Sequence, residues 1–164
     1  MTTTPESLDV LRGILKNAKV AMLVTNSSDG RLVARPMQLQ ETEYDGDLWF
    51  LTRKDTDKYE EIKTNDNVNV VIADKSYASI SGKAEIVDDL EKKKEFWNPA
   101  YSAMFDLEDH TDPNITLIKV HSETAEYWDT GSTLKSAYNF VKKVIGKEEP
   151  VEPGKSTNET LDLT

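Results

Sequence analysis

The chain has no cysteine, only two histidines, and seven glycines that are scattered rather than clustered. Without cysteine there is no disulfide, no thiolate nucleophile and no sulfur ligand for zinc or an iron–sulfur cluster. His110 and His121 lie in different predicted elements, too few and too far apart for a histidine-rich metal site. His121, in phase with Lys119, reads as a solvated strand residue rather than a catalytic one. The scattered glycines leave neither a phosphate-cradling loop nor a dinucleotide fingerprint. No apolar run approaches the roughly 20 residues of a membrane span.

Positive charge is also scarce: 20 Lys and Arg stand against 30 Asp and Glu, a formal charge of −10. That argues against nucleic acid and against anionic membrane as partners. An anionic ligand must instead find a local positive pocket. The acidic group Asp106, Glu108, Asp109, His110 and Asp112 lacks the oxygen spacing and central glycine of a calcium loop, and reads as a solvated turn. The opening Met1–Glu6 has neither a basic start nor an apolar core, so no secretory signal is expected and a cytoplasmic location is. The sequons at Asn26, Asn114 and Asn158 are then chance matches.

What is present is an ordered series of short elements. Thr4-Pro5 reads as an N-cap and first helical position, followed by Leu8, Leu11, Leu15 and Ala18 at helical spacing to about Lys19. Strands are expected at 20–25, 31 to about 41, 48–52, 68–73 and 76–87, with turns at Asn26–Gly30 and Tyr44–Asp47. Pro36 removes a ladder donor, which predicts an edge, a bulge or a bend there. Short helices are expected over 56–64, capped by Asp55 or Thr56, and over 88–97, broken by Asn98-Pro99. Residues 115 to about 130 read as two strands meeting near Ser122, and 132–145 as a last helix. This pattern predicts an α+β, mainly β chain: a small antiparallel barrel with peripheral helices, one domain over 1–145. The polar stretch 146–164 reads as a flexible tail.

One region carries chemistry. Arg35 on a strand, Thr52 at a strand end, and Thr56 and Lys58 at a helix start fall within reach of one phosphate-sized anion. A helix start offers free N–H groups and the positive end of the dipole, and arginine binds phosphate in bidentate fashion. From spacing alone, a plain cap at Thr56 with surface charges at Arg35 and Lys58 is the favoured reading. Trp97, Trp128 and Met37 taken singly read as packing residues.

Taken in order, 20–25, Ala34-Arg35-Pro36-Met37, Leu48-Trp49-Phe50-Leu51-Thr52, 56–62, 68–73, 79–84 and Glu126-Tyr127-Trp128 resemble the pyridoxamine 5′-phosphate oxidase-like FMN-binding split-barrel family, in its general stress protein branch. The resemblance covers about residues 6 to 130. It implies an antiparallel split β-barrel and a homodimer with FMN at the subunit interface, FAD or a deazaflavin being the alternatives. It implies that Arg35, Pro36, Met37 and Gln38 lie along the flavin and its ribityl chain, that Phe50, Leu51 and Thr52 flank the ring and that chain, and that Thr56 and Lys58 hold the phosphate. Tyr77 and Ser79 would contribute from across the dimer, and Trp128 would close the ring pocket. The implied activity is flavin-dependent oxidoreduction of an unassigned small redox substrate, with a non-catalytic flavin carrier as the alternative. Two departures argue against true vitamin oxidase activity. Asp57 stands where the oxidases carry a second basic phosphate ligand, and their Arg-Leu-Ala-Pro-like end has no counterpart.

Overall fold

The computed structural model of the chain describes residues 3–129 and 157–164. Helix α1 (Pro5–Asn17) starts where the sequence says it must. Thr4 Oγ1 accepts the Ser7 N–H at 3.1 Å, and Ser7 Oγ accepts the Thr4 N–H at 3.0 Å, so two orphan donors are satisfied reciprocally. The helix lays Leu11, Ile14 and Leu15 onto the sheet.

Strands β1 (Val20–Asn26), β2 (Leu32–Gln38), β3 (Asp47–Arg53), β4 (Asn67–Ala73), β5 (Tyr77–Val87), β6 (Ile115–Asp129) and β7 (Thr157–Asp162) form one antiparallel sheet. Its order is β2-β1-β4-β5-β6-β3, with β7 joined to β6. The sheet curls until the chain beyond β2 meets β3 through a single bond, Gln40 N–H to Trp49 O at 3.1 Å. It does not close, and the architecture is an antiparallel split β-barrel. Pro36 sits on edge strand β2, where a missing donor costs least.

Helix α2 (Asp57–Thr64) follows β3, while α3 (Leu90–Phe96) and α4 (Ala100–Phe105) form the β5–β6 connection. The barrel interior holds Leu23, Phe50, Val70, Ile72, Ile80, Ile118 and Val120. A second cluster, outside it, packs Leu51, Ile115 and Leu117 against Phe96 and Tyr101. Trp97 belongs there too, 5.7 Å from Tyr101 and 6.4 Å from Phe105 between ring centroids. Lys93, nearly buried, donates to Asp88 at 2.6 Å and to the Ile115 carbonyl at 3.2 Å, tying α3 to the start of β6.

Three expectations change. Residues 115–129 are one strand, not two. Ser122 marks a bulge, since Gly82 pairs with Ser122 but Ser81 pairs with Thr124. Helix α4 follows the Asn98-Pro99 break, where only a break was expected. Part of the expected tail is structured: β7 pairs with β6 over Thr157–Asp162, and Leu161 is fully buried. The expected helix 132–145 and residues 146–156 lie outside the described residues. Among the described residues no helix is long and apolar enough to cross a membrane.

Candidate functional site

The β1–β2 hairpin and α2 enclose a groove of about 1270 Å³. One wall runs from Asn26 through the turn to Arg35, and the other is Thr56, Asp57, Lys58, Glu60, Glu61, Thr64 and Asn65. Antiparallel neighbours share a face, so Arg35, opposite buried Leu23, projects to the inner side of the sheet. There it donates to Thr25 Oγ1 at 2.7 Å and from Nη2 to Glu61 Oε2 at 3.3 Å. Thr25, itself fully buried, donates to the same Glu61 oxygen at 2.5 Å.

Lys58 stands beside this cluster. Burial, and next the charge of Arg35, push its ammonium below the ordinary lysine value. It makes no hydrogen bond or ion pair among the described residues. Arg53 and Lys54, nearby in sequence, are spoken for. Arg53 grips Asp55 at 2.8 and 2.7 Å and holds that carboxyl down at about 2, and Lys54 pairs with Asp88 at 2.9 Å. Two cations that oppose each other in a groove, one without a partner among the described residues, make a place for an anion.

Thr56 is the N-cap residue of α2, yet its hydroxyl donates back to the Arg53 carbonyl at 2.9 Å rather than capping the helix. Arg35, Thr56 and Lys58 therefore share the groove. Thr52 does not line it, since its hydroxyl is fully buried and directed to the Arg53 carbonyl. Phe50 faces the barrel interior and Leu51 the second cluster, so neither side chain reaches the groove. Met37 packs on the interior cluster, Pro36 is exposed, and Gln38 lines a separate cavity of about 350 Å³ at the split of the barrel. Tyr77 and Trp128 are register partners on β5 and β6, both substantially exposed, and Ser79 bonds Asn69 at 3.0 Å on the same face. His121 projects outward and meets Asp47 at 2.9 Å, away from the groove.

Sequence reasoning missed Glu61 and Thr25. Glu61 lies three residues after Lys58 on α2, the spacing that puts two side chains on one helix face. That signal was available, but it did not show that the face turns inward.

The family model for pyridoxamine 5′-phosphate oxidase-like proteins matches residues 6–151. The chain belongs to that family. Within the general stress protein branch, it is 30% identical over 90 residues to General stress protein 26 of Bacillus subtilis, covering 51% of this chain and 63% of that protein. Protein bli-3 of Neurospora crassa is 31% identical over 162 residues, covering 92% of this chain and 75% of that protein. The crystal structure of the general stress FMN/FAD binding protein of Xanthomonas citri superposes with a TM-score of 0.65 at 28% identity, covering 76% of this chain and 89% of that one. Like that structure, this member of the pyridoxamine 5′-phosphate oxidase-like family carries the split barrel.

Proposed function

We propose that the chain is an FMN-binding flavoprotein, active as a homodimer in flavin-dependent oxidoreduction. The observation that carries the proposal is the half-buried Lys58, without a partner among the described residues, beside Arg35 in a groove at the start of α2. Its donor set suits a phosphate dianion: a guanidinium, an ammonium and the first N–H groups of a helix, which the Thr56 hydroxyl joins once it turns from the Arg53 carbonyl. Arg35, Thr56 and Lys58 would hold the phosphate, and β2 from Pro36 to Gln38 leads away from it toward the split of the barrel. Once bound, the flavin supplies hydride or electron transfer, and the protein's part is to orient it and exclude water.

The groove, larger than the roughly 300–1,000 Å³ of ordinary ligand pockets, is open between its two walls and lacks a cover. A second copy of the chain supplies one in this proposal. Val20, Met22 and Val24 of β1 lie on the outer face of the sheet, with Leu32, Ala34 and Pro36 beside them on β2. Val71, Tyr77 and Trp128 continue that face across β4, β5 and β6. These apolar side chains, with Asn69, Ser79 and Glu126 among them, offer a mixed face suited to contact with a second copy. The wild-type protein is expected to sediment as a dimer. Val71→Glu, placing a charge mid-face where a lone chain would tolerate it, is expected to leave a folded monomer with weakened flavin binding. A wild-type monomer with bound flavin would remove the dimer from the proposal.

The direct test is the spectrum of purified protein, as isolated and after incubation with FMN. Flavin absorbance near about 450 nm that stays with the protein through gel filtration is the expected result. Its absence from both samples overturns the proposal. The groove offers no histidine, which favours a carrier as the second reading. Reduction of the bound flavin by NADH or NADPH with turnover of an acceptor supports the enzyme, and a flavin that is bound but not turned over supports the carrier.

A further inference from the structure

Glu61 is an unexpected residue at a phosphate site. Its side chain is 13% exposed and Arg35's is 20% exposed, so this ion pair is largely out of water. The carboxylate oxygen that meets Arg35 Nη2 at 3.3 Å also takes the Thr25 hydroxyl at 2.5 Å, and Arg35 Nη1 reaches that same hydroxyl at 2.7 Å. Three side chains from β1, β2 and α2 thus close a small ring of hydrogen bonds. Other carboxylates line the groove, at Asp29, Asp57 and Glu60, but Asp29 is held by Arg31 and Glu60 lies 3.8 Å from Lys63. Only Glu61, among the described residues, is ion-paired with Arg35.

We propose that Glu61 is a built-in counter-anion that competes with a ligand's phosphate for Arg35, setting the affinity for phosphorylated ligands and keeping them exchangeable. This rests on the reading of the groove as the flavin phosphate site. With Arg35, Lys58 and Glu61 together the cluster carries one net positive charge, less than a phosphate dianion asks for. Neutralising Glu61 raises it to two while leaving both cations in place. The competition acts on the phosphate alone, so it discriminates between FMN and riboflavin, which share the ring. A phosphate that displaces the carboxylate from Nη2 takes over its role toward a guanidinium that burial would otherwise leave unpaired.

The test titrates inorganic phosphate, FMN and riboflavin separately into flavin-stripped wild-type protein, Glu61→Gln and Glu60→Gln. Glu61→Gln is expected to bind phosphate and FMN about tenfold more tightly, with riboflavin unchanged. It is also expected to melt at a lower temperature than wild type and to regain more of that loss when phosphate is added. Unchanged or weaker phosphate binding overturns the proposal, as does equal tightening by Glu60→Gln, which would reveal only the general field of the groove. Because inorganic phosphate alone decides the matter, failure of FMN to bind wild type would count against the flavin reading and not against Glu61. Should Glu61→Gln fail to fold, a crystal structure of the wild type with phosphate decides instead: the Glu61–Arg35 contact is broken if the proposal holds and kept if it does not.

Discussion

Replacing Arg35 and Lys58 together by alanine is expected to weaken FMN binding by roughly two to four orders of magnitude while leaving riboflavin binding nearly untouched. The size follows from the groove. A hydrogen bond to a charged group is worth about 1.5–3 kcal/mol, so losing two removes about 3–6 kcal/mol, and each 1.4 kcal/mol or so is a factor of ten. The double variant is chosen because Lys58 stands close enough to feel Arg35's charge, and either cation alone would partly serve the phosphate. Removing Arg35 leaves Glu61 its hydrogen bond from Thr25, so the fold keeps one anchor for that carboxylate. Fluorescence quenching of each flavin on titration measures both affinities, with a thermal melt as the folding control. Equal losses for FMN and riboflavin would mean that the groove holds the ring rather than the phosphate. No loss for either would end its claim to be a flavin site.

The α2 end of the groove was legible in the sequence because short-range rules govern it. Thr56 opens α2 and Lys58 follows in the first turn, and helix-start chemistry depends on little beyond those neighbours. The same holds for α1, whose cap is written in Thr4-Pro5 and Ser7, and for the turns at Gly30 and Gly46, where φ values of 83° and 112° suit glycine. What stayed hidden depends on pairing between distant strands. In the sequence Thr25 is only the end of an apolar run, and nothing singles out Glu61 from the other charges of α2. Only the packing of α2 over the β1–β2 edge makes them Arg35's partners. The last strand escaped for a different reason. Its segment is polar, and the burial that anchors it rests on Leu161, with help from Leu163, too few residues to produce a visible alternation.

The bulge at Ser122 also escaped, and Gly82→Ala is the substitution that exposes its importance. Along β6 the buried positions run Ile118, Val120, Ser122 and then Ala125, Tyr127, Asp129. The phase switches because Glu123 is an extra residue between the pairs Gly82–Ser122 and Ser81–Thr124. Without it, Tyr127 would turn outward and Trp128 into the core. Gly82 is what lets the strands approach there: a Cβ on it would lie 2.1 Å from the His121 carbonyl oxygen and 2.9 Å from its carbon. Both atoms are backbone, so no rotamer change relieves the clash, and one strand must move. The expected cost is at the upper end of overpacking, about 3 kcal/mol, or a fall in Tm of roughly 6–12 °C for a chain of this size. Gly13→Ala is the matched control, since nothing lies within 4 Å of its added Cβ in mid-helix, and it should stabilise by about 0.5–1 kcal/mol. The Gly82→Ala protein is further expected to show altered Trp128 emission and weaker self-association, because the bulge decides which aromatic residue faces outward on β6. If Gly82→Ala melts with the wild type, the two strands are not held as tightly as this register requires, and the outer face that presents Tyr77 and Trp128 loses its structural basis.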